Sequence, residues 1–371
     1  MSRGVPQIVF AGGGTGGHLF PALAVADALR ERFPDRTIWF IGSRRGLEQR
    51  LVPRAGYSLR ALPLEGLKGR HALGKLRAVA AAGMAVVRCL AWLAAARPGL
   101  VVGVGGYASG PGLLAASLLR LPTMVMEQNH FPGATNRWLA RRVDAVCVPS
   151  AAARARFGGI GIITGNPVRA EFTRIGDPPD GPALRVLVFG GSRGARALNR
   201  AVAAALPELA RLEEPPIVVH QTGPDDVAAA CDSERSYPAD RYETLPFLDD
   251  MPQRMAAADL VVCRAGATTL AELTAAGRPA ILVPYPYAAD DHQRHNAEAL
   301  QATGAAVVIR DADLAGARLA AAVSDLASDR ARLRRMGLAA RAMGRPEATA
   351  AIVDVAARLL AGGTPEERDV P

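Results

Sequence analysis

The chain has 371 residues, half of them apolar, which is too much for one compact core and suits two domains. Lys and Arg number 44 against 35 Asp and Glu, so the formal net charge is +9 and an anionic partner is expected. Aromatic residues make up only 5% and do not interleave with the basic ones, which argues against nucleic acid as that partner, and no uncharged apolar run reaches the ~20 residues of a membrane-spanning helix.

Ile8-Val9-Phe10-Ala11 reads as a buried strand that starts almost at once, so no export signal is expected. Gly12 to Gly17 then holds five glycines and Thr15, and His18 follows. Phe20, Leu23, Ala24 and Ala28 recur at helical spacing, with Pro21 in the first turn where a helix tolerates it. Such a turn presents backbone N–H groups at a helix N-terminus, where the dipole favours an anion. Gly12, Gly14 and Gly17 also match the dinucleotide fingerprint, which calls for a carboxylate after the second strand. That strand, Thr37 to Ile41, runs into Gly42-Ser43-Arg44-Arg45, where no carboxylate stands. The two arginines would suit a 2′-phosphate, so an NADP-dependent oxidoreductase is one alternative function.

Gly66 to Arg97 follows as a basic, partly apolar stretch. Leu100 to Val104 is the next strand, and Gly105-Gly106-Tyr107-Ala108-Ser109-Gly110-Pro111 leads into a helix ending near Arg120. Thr123 to Met126 is a strand ending in Glu127-Gln128-Asn129-His130; Ala145 to Val148 is another, and Ile162-Ile163 precedes Gly165-Asn166-Pro167-Val168-Arg169. Proline, glycine and aspartate between Arg169 and Leu184 read as a linker. Arg185 to Phe189 then opens a second strand–glycine loop–helix through Gly190-Gly191-Ser192-Arg193-Gly194-Ala195. Strands at Ile217, Tyr242, Leu260 and Ala280 alternate with helices, and Ala-rich helices from Leu314 close the chain before a frayed tail from Gly362. The alternation predicts an α/β protein of two doubly wound domains facing across a cleft, with ligands beyond the carboxyl ends of the strands. The expected divisions are 1–168 for the first domain, 169–183 for the linker and 184–345 for the second domain. A final helix and tail occupy 346–371, and that helix is expected to pack back on the first domain.

Seven motifs occur in order: Gly13-Gly14-Thr15-Gly16-Gly17-His18; Gly105-Gly106-Tyr107 with Ser109-Gly110-Pro111-Gly112; Glu127-Gln128-Asn129; Gly165 to Arg169; Gly190 to Ala195; Phe247-Leu248-Asp249-Asp250-Met251; and Cys263-Arg264-Ala265-Gly266-Ala267. Each is weak alone, but the ordered set spans nearly the whole chain and resembles the MurG family, membrane-associated N-acetylglucosaminyltransferases of peptidoglycan synthesis. The resemblance implies a GT-B fold, with acceptor and membrane binding in the domain 1–168 and UDP-N-acetylglucosamine binding in the domain 184–345, and transfer from UDP-N-acetylglucosamine to lipid I, giving lipid II, without a cofactor. It also implies a peripheral protein on the cytoplasmic face of the bacterial membrane, with other cell-wall synthesis proteins as further expected partners.

The chemistry needs a held nucleotide, a stabilised diphosphate leaving group and a base for the acceptor hydroxyl. The second glycine loop offers amides and the Ser192 hydroxyl to the diphosphate, with Arg169 or Arg193 adding charge; the family usually has Gln where this chain has Arg193. Glu272, one turn inside a helix opening at Ala267-Thr268-Thr269, suits a ribose diol or simply a favourable charge near a helix N-terminus, and the resemblance favours the ribose. The resemblance adds donor contacts at Thr15, Gly16, Gly17, Asn129, Leu248, Leu270, Ala271, His292 and Gln293, although many members carry Gln-Gln where this chain has His292-Gln293. His18 and Glu127 both stand as candidate bases, since an imidazole takes a proton near neutral pH and a strand-end carboxylate is well placed. Gly13, Gly14, Thr15, His18 and Tyr107 are expected to face the acceptor.

No metal site is expected: Cys89, Cys147, Cys231 and Cys263 are far apart and suit buried reduced thiols, and Asp311-Ala312-Asp313 reads as a helix cap rather than a metal-binding Asp-x-Asp. The only two lysines, Lys68 and Lys75, lie with Arg70 and Arg77 among Leu73, Leu76 and Val79. That stretch is either an ordinary core-facing stripe or a cationic surface for anionic lipid. A non-catalytic basic membrane-binding protein is therefore the second alternative.

Overall fold

The computed structural model describes residues 7–64, 72–106, 108–192, 194–226, 237–288 and 291–363; over 72–79 and at 134 only the backbone is described. The chain divides into two compact units, Met1–Arg169 with Pro346–Pro371, and Ala170–Arg345.

The first unit is built on seven strands, β1 (Ile8–Ala11), β2 (Ile38–Ser43), β3 (Ser58–Leu62), β4 (Leu100–Gly103), β5 (Thr123–Met126), β6 (Ala145–Val148) and β7 (Ile162–Ile163). They form one sheet in the order β3-β2-β1-β4-β5-β6-β7, every pair parallel. Ile8 lies opposite both Ile38 and Leu100, so β1 is the centre from which the chain winds first one way and then the other. The central strands are continuous apolar runs because helices cover both faces. Phe10, Val102 and Met124 pack to one face with Leu19, Leu23 and Leu29, while Val9, Val101 and Val125 pack to the other with Cys89, Leu93 and Leu113. β3 departs from this pattern: Ser-Leu-Arg-Ala-Leu alternates in exposure, as an edge strand can, and no strand is predicted there from the sequence.

The helix Ala348–Leu360 belongs to this first core, with Ile352, Val353, Val355, Ala356 and Leu359 buried against the helix Gly16–Arg32. The Thr349 hydroxyl donates to the Val168 carbonyl at 2.9 Å and Asp354 pairs with Arg32.

The second unit carries β8 (Arg185–Phe189), β9 (Ile217–Gln221), β10 (Tyr242–Leu245), β11 (Leu260–Cys263), β12 (Ala280–Leu282) and β13 (Ala306–Val308), parallel and in the order β10-β9-β8-β11-β12-β13. The expected linker is not free chain over its first part. A short helix, Ala170–Thr173, buries Phe172 completely, and Ile175 is buried as well. Arg278 explains how this segment is fixed. Only 2% exposed, its guanidinium donates to the carbonyls of Met255 (2.8 Å), Ala256 (2.9 Å) and Gly176 (2.8 Å). Burial and the neighbouring Arg341 push it down to about 10, so it stays charged at neutral pH. Replacing Arg278 with alanine removes a donor from each of those carbonyls, although Met255 O still accepts from Ala258 N–H (3.3 Å). Urea unfolding is expected to show a loss of roughly 2–4 kcal/mol, about one per lost bond.

Candidate active site

Both glycine loops leave the central strand of their sheet where the winding reverses, the position at which doubly wound sheets bind ligands. In the first unit, Gly12 has φ +143°, and a Cβ there would fall 2.3 Å from the Gly105 carbonyl oxygen. Only glycine lets the loops after β1 and β4 approach so closely. The consequence for the amides differs from the sequence expectation. Gly12 N–H donates to Ile41 O (2.9 Å), Gly13 N–H to Gly105 O (3.1 Å) and Gly14 N–H to a Glu48 carboxylate oxygen (2.8 Å). The amides of Gly13 and Gly14, expected to face the acceptor, are therefore turned inward.

The residues directly after β2 hold no carboxylate, and nothing local in the sequence marks Glu48 as reaching this loop. It stands instead in the first turn of the next helix, Glu48–Arg54, and reaches back. Its other oxygen accepts from Ser43 N–H (2.7 Å) and the Ser43 hydroxyl (2.8 Å).

His18 sits in the first turn of the helix Gly16–Arg32, half-buried, with its ring over Gly105. A Cβ at Gly105 would come within 2.6 Å of His18 Cδ2, so this glycine makes the ring's seat. His18 Nδ1 lies 3.2 Å from the Thr15 hydroxyl. With Nδ1–H donating to Thr15, the Nε2 lone pair is left to accept a proton. Burial pushes the imidazole below its usual 6.5, while the carboxylates of Glu127 and Glu48 pull it back up. The lowered affinity leaves the ring neutral at pH 7, and the two carboxylates are placed to favour its protonated form.

Glu127, at the end of β5, is 4% exposed. Its carboxylate accepts from Asn129 N–H (2.9 Å), Asn129 Nδ2 (3.1 Å) and Asn136 Nδ2 (2.9 Å). Those three bonds fix the carboxylate and commit the Asn129 amide nitrogen to it. Arg169 places its guanidinium 4.9 Å over the Phe20 ring, beside the same helix. Tyr107 lies outside the described residues.

In the second unit the loop after β8 carries half-buried Ser192, and Arg193 lies outside the described residues. Gly194 N–H closes the turn on Gly191 O at 2.9 Å. Gly194 has φ +73°, and a Cβ there would fall 1.8 Å from Thr222 O. A polar network holds the loop's helix, Arg196–Leu209, from beneath: His220 bridges Tyr242 (2.9 Å) and Asn199 (3.1 Å), and Asn199 Nδ2 donates to Thr222 O (2.8 Å). Burial drives His220 down to about 4, so it serves as a neutral strut. Nothing in the sequence pattern distinguished His220 or Asn199.

The helix Ala267–Ala276 follows β11, with Thr268 and Glu272 buried on it and Ala267, Thr269 and Ala271 partly exposed. Leu248 is 5% exposed. Gln293, in the first turn of His292–Ala302, accepts from Tyr285 N–H through its Oε1 (3.0 Å), so its NH2 group points away from that bond. Asp311 does not cap a helix as expected. It takes a 2.5 Å bond from Arg264 Nη1, which also donates to Val283 O and Pro284 O, tying the ends of β11 and β12 to the Asp311–Asp313 turn. Among the described residues no group of three His, Cys, Asp or Glu is arranged to hold a metal. Cys89 and Cys147 are buried, with thiols pushed up to about 12.

Two parallel doubly wound units, each with a glycine loop at its reversal point, define the GT-B class of glycosyltransferases. Residues 8–148 match the glycosyltransferase family 28 N-terminal domain and residues 185–352 its C-terminal domain, and the chain belongs to this family. It is 46% identical to the UDP-N-acetylglucosamine--N-acetylmuramyl-(pentapeptide) pyrophosphoryl-undecaprenol N-acetylglucosamine transferase of Syntrophotalea carbinolica, over 91% of this chain and 94% of that protein. The Myxococcus xanthus protein of the same name is 43% identical over 95% and 93%. Among solved structures, Acinetobacter baumannii MurG aligns with a TM-score of 0.73 at 32% identity, covering 94% of this chain and 99% of that one. Membership in a sugar-transferase family displaces the oxidoreductase alternative.

Proposed function

We propose that the chain transfers N-acetylglucosamine from UDP-N-acetylglucosamine to the muramyl 4-hydroxyl of lipid I, giving a β-1,4 linkage and UDP. The observation that carries the mechanism is the seat of His18 at the head of the first loop's helix, its ring over Gly105 and its Nδ1 3.2 Å from the Thr15 hydroxyl. The acceptor O4 attacks the anomeric carbon from the face opposite the diphosphate. The O4–C1 bond forms as the C1–phosphate oxygen bond breaks, and the hydroxyl proton passes to His18 Nε2. Charge then develops on the leaving diphosphate, where the second loop's amides and the Ser192 hydroxyl stabilise it. Glu272 accepts from the ribose diol, Leu248 lies against the uracil and the Gln293 NH2 group meets the sugar hydroxyls. Glu127, already holding three donors, orients the site and favours the imidazolium rather than taking the proton itself. Labelled N-acetylglucosamine should appear on a lipid I analogue at the same rate with and without chelator. Absence of transfer to that acceptor, with UDP-N-acetylglucosamine bound, would sink this reading.

The same proposal places the protein at the cytoplasmic face of the membrane. The supporting feature is the helix Ala72–Ala96, where Ala85, Cys89 and Leu93 face the core while Met84 (56%) and Val87 (60%) are exposed. No helix among the described residues is long and apolar enough to cross a bilayer. Lys68 and Arg70 lie outside the described residues, as do the side chains of Leu73, Lys75, Leu76, Arg77 and Val79. Each basic residue near an anionic surface contributes about 1 kcal/mol. Charge reversal at Lys68, Lys75 and Arg77 is therefore expected to weaken co-sedimentation with phosphatidylglycerol vesicles by 100-fold or more (roughly 3 kcal/mol). Unchanged sedimentation would remove this stretch from the membrane contact.

A further inference from the structure

Glu48 has a built seat. It is 1% exposed, and three glycines make room for it: an added Cβ would meet its carboxyl carbon at 3.0 Å from Gly13, its Cγ at 2.6 Å from Gly42 and its Oε2 at 2.0 Å from Gly46. Among the described residues its hydrogen bonds come from neutral donors, the Gly14 amide, the Ser43 amide and the Ser43 hydroxyl. Burying a full negative charge on neutral donors is costly, and a neutral side chain of the same length could accept much of the same bonding. The charge also stands under a turn whose helix end would otherwise suit an anion. Its placement makes sense if it answers a positive charge that forms during turnover, and four residues beyond Gly14, in the first turn of the helix that follows, stands His18.

We propose that Glu48 is a positioning residue for the transfer reaction: by clamping the Gly14 amide it fixes the turn that presents Thr15 and His18, and its buried charge stabilises the His18 imidazolium. The proposal rests on His18 being the base. It also redefines the first loop, whose Gly12–Gly14 segment is closed by Ile41, Gly105 and Glu48 rather than open to a diphosphate. The charged groups facing His18 are Glu127, from the end of β5, and Glu48, from the helix after β2; both raise its proton affinity. Removing Glu48's charge therefore lowers it, and the acid limb of kcat/KM moves to lower pH.

The test compares Glu48→Gln, Glu48→Asp, Ser43→Ala and His18→Ala, assayed for transfer to a lipid I analogue across pH and for UDP-N-acetylglucosamine binding by calorimetry. Glu48→Gln is expected to lose about 10-fold or more in kcat, with the acid limb moved to lower pH and donor affinity unchanged. Ser43→Ala keeps the charge and leaves the limb in place. Glu48→Asp keeps the charge but withdraws it from Gly14, so kcat falls while the limb moves less than in the glutamine variant. Parent-like kcat and limb in Glu48→Gln overturn the proposal, as does parent-like kcat in Glu48→Asp should the glutamine variant not fold. Equal rate losses in Glu48→Gln and Ser43→Ala without a limb shift reduce Glu48 to packing and overturn it too. Full turnover by His18→Ala instead removes the base on which the proposal stands, a result distinct from the others.

Discussion

Alanine at His18 is expected to cut kcat by roughly 10²- to 10⁴-fold, the range lost when a positioned acid or base is removed. Binding of UDP-N-acetylglucosamine should stay within about threefold of the parent, because the ring's role begins with the proton and not with the donor. The sign of the pH dependence follows from the ring's surroundings. Burial holds the imidazole below 6.5, and a base works only when unprotonated, so activity is full at neutral pH. It falls as pH drops through the lowered value, and the acid limb of kcat/KM must lie below 6.5. Removing either Glu127 or Glu48 as a charge takes away a raising influence and moves that limb further down. A limb above 6.5, or a His18→Ala enzyme with parent kcat, would assign the proton to another group. A variant that binds donor but does not turn over also separates this enzyme from a purely membrane-binding protein.

How much of this was readable in the residues depends on what each residue answers to. The central strands answer to burial on both faces, so Ile8–Ala11, Thr123–Met126 and Leu260–Cys263 announce themselves as apolar runs. The glycine loops answer to steric exclusion by a neighbouring loop, which only glycine relieves, and repeated glycine after a strand says so plainly. Ser58–Leu62 was not legible because it lies at a sheet edge and needs only half its residues apolar. Glu48 and Asp311 were illegible for another reason: each acts on a partner distant in sequence, Gly14 and Arg264, and nothing local to a carboxylate says which backbone it will reach. The first part of the linker misled in the same way. Its prolines and glycine read as free chain, but Phe172, Ile175 and the Gly176 carbonyl are claimed by the second unit through Arg278.

The second large effect is expected at Glu272. It is 7% exposed on a helix that opens just after β11, and the Cys263 thiol is raised by burial first and by the Glu272 carboxylate second. A carboxylate there can serve the fold, as a charge near a helix N-terminus, or the ligand, as acceptor for a ribose diol. The two roles part in a cross-comparison of protein and ligand. Two hydrogen bonds to a charged acceptor contribute about 1.5–3 kcal/mol each, so Glu272→Ala is expected to bind UDP-N-acetylglucosamine at least 10²-fold more weakly by calorimetry. If the ligand role holds, the parent protein should in turn reject a 2′-deoxyuridine analogue strongly, because the buried carboxylate is then left short of a donor. In Glu272→Ala that discrimination should vanish, since there is no longer an acceptor to strand. Ser192→Ala, removing one neutral hydroxyl proposed to meet the diphosphate, should cost only about 10-fold and leave the deoxy discrimination intact. A Glu272→Ala protein that melts lower but still tells ribose from deoxyribose as the parent does would show a structural charge, and the ribose would then have to be held elsewhere in the second unit.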